Sequence, residues 1–153
     1  MGLQRPTGEA LAETIRERTG HRFGDLRLLQ TALTHSSAVK AVANNERLEF
    51  LGDRVLGLVI AEMLFNRFPD AQEGELAPRF NALVDSRACG EVGEELGLDA
   101  LIRGAAALKA HKGGKARSYL SDAVEALIAA IYIDGGFDAA RAFILRYWEP
   151  RAD

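Results

Sequence analysis

Asn45-Glu46-Arg47-Leu48-Glu49-Phe50-Leu51-Gly52-Asp53, running on into Arg54-Val55-Leu56-Gly57-Leu58-Val59-Ile60-Ala61, is the stretch on which the fold turns. Glu46, Glu49 and Asp53 recur at i, i+3 and i+7, a spacing that stacks three carboxylates on one face of a helix. Val55 to Ala61 is apolar all round, the pattern of a helix largely enclosed by others. Asp53 is therefore expected to be at least partly buried. A buried carboxylate without a partner costs several kcal/mol or takes up a proton.

A second stretch repeats the pattern. In Ser121-Asp122-Ala123-Val124-Glu125-Ala126-Leu127-Ile128-Ala129-Ala130 the only charges are Asp122 and Glu125, again one helical turn apart. Two apolar helices, each with an acidic stripe, can pack with the stripes facing. Carboxylates crowded in that way repel, and divalent cations relieve the repulsion. An all-oxygen donor set selects hard ions such as Mg²⁺ or Mn²⁺. Two other readings stand beside this one: Arg47 or Arg54 can neutralise an acid as a plain ion pair, or the stripes can simply be solvated. Periodicity by itself reaches a helical domain with a metal site and does not choose a reaction.

The rest of the chain is also helical in pattern. Leu11 and Ile15 share a face of a helix over about Gly8 to Arg18, and Asp25 caps a second helix carrying Leu26, Leu29 and Leu33. Asn44 and Asn45 are caps for a long third helix that ends before Pro69. Shorter helices fit Gly74 to Val84 and Ser86 to Leu96, the latter closed by Gly97. A loop is expected from about Gly104 to Ser118, then a strongly apolar helix from about Tyr119 to Ile133. Gly135 and Gly136 break it, and Asp138 is expected to cap a last helix reaching Trp148. No Asn-Gly turn joins two alternating runs. The reading is all-α, with residues 1–153 as one domain.

The chain's 153 residues allow a core large enough to need no staple, and its single cysteine, Cys89, excludes a disulfide framework or a thiolate-rich zinc site. Cys89 reads as a small buried hydrophobe, which points to a reducing cytoplasm. A net charge of −3 excludes a uniformly basic protein but allows a local basic patch. Lys109, Lys112, Lys115 and Arg117, interleaved with glycines, form such a patch, able to reach phosphates of an A-form duplex or to be merely solvated. No apolar run reaches about 18 residues, so no membrane-spanning helix is expected.

At these residues the sequence resembles the ribonuclease III family. Asn45 to Asp53 matches that family's nine-residue signature, and Asp122-Ala-Val-Glu125-Ala-Leu its second acidic motif. Ala32-Leu-Thr-His35-Ser36, Arg67-Phe-Pro69, Glu73-Gly74-Glu75-Leu76, Ala82-Leu-Val84 and Asp134-Gly-Gly136 follow in the family's order. The resemblance implies an endonuclease domain that hydrolyses double-stranded RNA to 5′-phosphate and 3′-hydroxyl ends, in rRNA and mRNA processing. It implies Glu49, Asp122 and Glu125 as metal ligands for Mg²⁺, or Mn²⁺ in its place, with Asp53 and Glu125 in the catalytic set. Glu46 and Glu73 match further acidic positions. It also implies a homodimer, with Phe50 at the position that inserts into the partner subunit. His35 lies in a motif that reads as structural. Pro78 departs from the family pattern and is expected to shift the start of its helix. The double-stranded-RNA-binding domain with which bacterial relatives continue is not expected within these 153 residues. A non-catalytic RNA-binding member of the same fold would be expected to lose acidic ligands, and here Glu49, Asp53, Asp122 and Glu125 are all present. A metal-stabilised helical scaffold is the third reading.

Overall fold

The computed structural model describes residues 4–35, 44–103 and 114–153, and only the backbone of 114–116. Seven α-helices are present among them: α1 (Gly8–Thr19), α2 (Leu26–Ala32), α3 (Glu46–Arg67), α4 (Glu73–Val84), α5 (Ser86–Glu95), α6 (Gly114–Gly135) and α7 (Phe137–Trp148). Short 3₁₀ turns at Leu98–Ala100 and Glu149–Arg151 complete the elements. The described residues contain no strand, only an isolated bridge between Thr34 and Arg103. The all-α reading holds.

The architecture is organised around α6. Ala126 to Ile131 are all fully buried, because α3 covers one side of α6, α5 another, and α2 and α7 close the remainder. Helix α6 begins earlier than expected, so residues 114–118 are helical rather than loop. The rest of the expected loop, 104–113, lies outside the described residues. The last helix anchors through Phe143 and Trp148, both fully buried. The Trp148 indole N–H donates to the Leu83 carbonyl at 2.7 Å, so its burial leaves no unpaired donor.

Local chemistry accounts for most boundaries. Asp25 caps α2 by accepting from the Arg27 amide at 2.9 Å, and Asp85 caps α5 by accepting from the Ala88 amide at 2.8 Å. At α3 the roles divide: Asn44 accepts from the Glu46 amide, while Asn45 occupies the cap position and turns inward to donate to the Ala32 carbonyl. The break before α7 comes at Gly136, whose φ of +89° is open to glycine. Gly136, not Asp138, stands at the cap position of α7, and Asp138 lies in its first turn. Pro78 falls inside α4 without moving its start, which remains at Glu73.

Helix α3 corrects one expectation. It is not enclosed on all sides: Leu48, Val55, Leu56, Val59, Ile60, Met63 and Leu64 are buried, but Phe50 is 63% exposed, Leu58 58% and Phe65 71%. These three lie on the side turned away from α6 and α7. A continuous apolar run in a helix of 22 residues supplies both an inward and an outward face, and one chain covers only the first.

Candidate active site

The two acidic stripes meet where α3 crosses α6, and Gly52 lets them meet. A Cβ on Gly52 would lie 1.6 Å from the Glu125 carbonyl oxygen and 2.5 Å from its carbon. No side chain fits there. The helices approach backbone to backbone, which carries Glu49 and Asp53 on α3 up against Asp122 and Glu125 on α6.

The four carboxylates sort into two hydrogen-bonded pairs. Glu49 pairs with Asp122, and burial, the Asp122 charge and the hydrogen bond between them push Glu49 up to about 7. Asp122 is itself raised by burial, with partial relief from Glu49 and from the neighbouring His35. Burial raises Glu125 to about 8, with Asp53 as its hydrogen-bonding and charged neighbour and Glu49 and Asp122 adding to the repulsion. In all three burial is the largest cause, and for Glu49 and Glu125 the neighbouring carboxylates add to it.

Asp53 is less buried than its neighbours in sequence imply. Its side chain is 48% exposed and is held by Arg54 at 3.0 Å, because the outer turn of α3 faces away from α6. Arg54 also lies over the Phe50 ring, 4.0 Å from its centroid. Glu46 is exposed at the start of α3 and adds to the field that raises Glu49. Glu73 opens α4 in an exposed position and is not among the charges acting on Glu49 or Glu125. Arg117 is exposed near the start of α6. Lys109, Lys112 and the Lys115 side chain lie outside the described residues.

Three neighbours of the cluster carry no acidic label in the sequence. Gly52 sets the approach, and a glycine within an apolar helical run is a visible signal for close packing. The buried Ser121 hydroxyl donates to Glu125 at 3.4 Å, one turn away. His35 packs its ring 4.0 Å from that of Tyr119, centroid to centroid, within electrostatic reach of Asp122. Cys89 is fully buried, and burial pushes its thiol up to about 12, so it is inert as a nucleophile at neutral pH.

Among the described residues, no three acidic, histidine or cysteine groups stand close enough to share an ion as they are placed. The donor set nonetheless fits a hard divalent cation: only carboxylate oxygens converge, and two of them retain protons up to near-neutral pH for want of a counter-charge.

Comparison with known proteins identifies the family. Residues 25–151 match the Ribonuclease-III-like family model. The chain is 54% identical over 142 residues to Ribonuclease 3 of Brucella canis and, equally, to that of Brucella suis, across 92% of this chain. It spans 58% of the length of these curated relatives. Among solved structures, the nuclease domain of ribonuclease III from Campylobacter jejuni superposes with a TM-score of 0.83 at 40% identity, covering 90% of this chain and 96% of that one. Dicer from Pichia stipitis matches with a TM-score of 0.63 at 27% identity, over 84% of this chain and 56% of that one. The chain belongs to the ribonuclease III family and has the fold of that family's nuclease domain.

Proposed function

We propose that this chain is a metal-dependent endoribonuclease domain that hydrolyses double-stranded RNA to 5′-phosphate and 3′-hydroxyl ends. The observation that carries the reading is the convergence of Glu49, Asp53, Asp122 and Glu125 across the Gly52 contact, with Glu49 and Glu125 raised for want of a counter-charge. Glu49, Asp122 and Glu125 would hold Mg²⁺, with Mn²⁺ able to replace it. The cation, when bound, supplies Lewis acidity that offsets phosphate charge and makes water a competent nucleophile.

The side chains do the rest. Glu49 and Glu125 would hold the ion in their ionised forms, and His35 offsets part of the burial that raises Asp122. Asp53, half in solvent and tethered by Arg54, would belong to the catalytic set beside Glu125, to which it is hydrogen-bonded. Ser121 steadies Glu125. No serine, cysteine or histidine nucleophile is needed.

The dimer belongs to the same reading. The structure from Campylobacter jejuni is described by the flexibility of a region involved in dimer formation. Here Phe50, Leu58 and Phe65 present an apolar stripe. Beside it lies a groove of about 930 Å³ whose apolar wall includes Leu28, Leu48, Leu51 and Ile133. A second copy would lay its own Phe50 against that wall, giving two sites for two strands. The same proposal assigns the chain to rRNA and mRNA processing in the cytoplasm. No helix among the described residues is long and apolar enough to cross a membrane.

The test is incubation of a long RNA duplex with the protein in Mg²⁺, with and without EDTA. Chelator-sensitive cleavage to 5′-phosphate ends is expected. Binding without cleavage in Mg²⁺ or Mn²⁺ would make the chain an RNA-binding module instead.

A further inference from the structure

Away from the carboxylates, Arg5, Thr7, Gly8, Gln30, Thr34 and Arg103 line a cavity of about 330 Å³, open to solvent. Its two cations have no acid to answer them among the described residues. The ion pairs there engage Arg16, Arg27, Arg54, Arg67, Arg87, Arg141 and Arg151, along with His21. Arg5 reaches only the Pro6 carbonyl, at 3.4 Å. Segments 1–3, 36–43 and 104–113 contain no Asp or Glu, so they have no carboxylate to offer either. The two guanidiniums feel each other: burial and the Arg103 charge both lower Arg5. The hydroxyls of Thr7 and Thr34 and the Gln30 amide complete a polar, cationic wall.

The cavity is tied to the carboxylate site through backbone hydrogen bonds. The Arg103 amide donates to the Leu33 carbonyl at 2.7 Å, and the His35 amide donates to the Arg103 carbonyl at 3.3 Å. The Asn45 amide donates to the Thr34 carbonyl at 3.0 Å, and the Asn45 carbonyl accepts from the Glu49 amide at 2.8 Å. Arg103 thus hangs from the same knot of chain that starts α3 and holds His35 beside Asp122.

We propose that Arg5 and Arg103 form a phosphate cradle that grips the RNA backbone beside the cleavage site. The inference rests on the duplex-RNA reading above. Guanidinium forks match phosphate oxygens bidentately, and two cations lining one cavity with no acid among the described residues beside them favour a charged phosphate over an uncharged base edge. The grip is therefore one of affinity and register, independent of sequence.

The experiment measures filter binding of one RNA duplex in EDTA over a series of salt concentrations. It compares the wild type, the double variant Arg5→Gln/Arg103→Gln and the charge-keeping double variant Arg5→Lys/Arg103→Lys. Removing one cation from a phosphate should lower the slope of log K against log salt by about 0.9 and weaken binding roughly fivefold near 0.15 M salt, so about 25-fold for the Gln pair in one protomer and more where both protomers of a dimer contact the duplex. The Lys pair should keep most of the slope. Melting temperature of the Gln pair should hold or rise, because two repelling cations are gone. Unchanged slope and affinity in the Gln pair would overturn the cradle while leaving the nuclease reading intact. A lowered melting temperature with unchanged slope would make the arginines structural and overturn it equally. Inorganic phosphate is the second probe: if it stabilises wild type but not the Gln pair while duplex binding is equal in both, the cavity takes free phosphate and the cradle is overturned. Failure of wild type to bind duplex at all would overturn both readings.

Discussion

Gly52 and Glu125 meet backbone to backbone, so close that a methyl group on Gly52 would overlap the Glu125 carbonyl. This approach sets the distance between the two acidic stripes, and every property of the cluster depends on it. Gly52→Ala must drive α3 away from α6. Overpacking of a rigid backbone contact costs about 1–3 kcal/mol or more. Because the pairs Glu49–Asp122 and Asp53–Glu125 straddle the crossing point, cleavage should be abolished well before the fold is. Urea denaturation and single-turnover cleavage on the same protein check this; wild-type stability would show that α3 can shift at no cost.

Glu125→Gln separates folding from chemistry. In the metal-free protein the folded state holds the Glu125 proton up to about pH 8, whereas an unfolded chain releases it near 4.3. The folded state binds more protons across that window, so stability falls as pH rises through it. Removing the carboxylate should therefore do little near pH 4 and raise the melting temperature at pH 8. Each 1 kcal/mol relieved is worth roughly 2–4 °C for a chain of this size. Mg²⁺ should stabilise wild type at pH 8 and the variant much less, and cleavage by the variant should collapse. Melting curves in EDTA and in Mg²⁺ at both pH values are the measurement, and a pH-independent difference would contradict the crowding.

Phe50→Ala addresses assembly. The ring is 63% exposed in a single chain and flanked by Arg54 stacked at 4.0 Å. An aromatic anchor of this kind is worth about 2–4 kcal/mol when buried in an interface. Sedimentation should show wild type as a dimer at micromolar concentration and the variant dissociating under the same conditions. The variant's monomer should melt no earlier than expected for a surface change, since Phe50 is not part of the core. A monomeric wild type would remove the dimer.

Asp134 offers a test of the fold remote from the site. It accepts from the Gly24 amide at 2.9 Å, the Asp25 amide at 3.0 Å and the His21 ring at 2.7 Å, tying the end of α6 to the turn before α2. Burial raises its carboxyl, but these three hydrogen bonds together outweigh burial and hold it below the ordinary range. A depressed carboxylate stabilises the fold above its unfolded pKa of about 3.9, and that contribution is lost as pH falls through the folded value. Asp134→Asn should cost about 1–3 kcal/mol at pH 7. The deficit relative to wild type should stay constant down to about pH 4 and shrink below it. Denaturant midpoints at pH 7 and pH 3 decide the matter.

Local features are legible in the order of residues alone. Period, caps and breaks are short-range chemistry, so Asp25, Gly97 and the Gly135-Gly136 pair mark their helix ends correctly, and the two acidic stripes can be read residue by residue. Burial is a property of neighbours, and there the packing of the helices governs. Asp53 and Glu49 lie on one stripe and both reach a carboxylate of α6, yet Asp53 keeps a side chain 48% exposed, because the stripe is wider than the helix crossing. The apolar run after Asp53 looks uniform, yet one side is core and the other, with Leu58 and Phe65, is bare. Gly52 could be flagged as a place for close packing, but only the folded chain names what it touches. The pairing of Arg5 with Arg103, 98 positions apart in the chain, has no sequence pattern at all, since no periodicity relates residues brought together by a bridge between two loops.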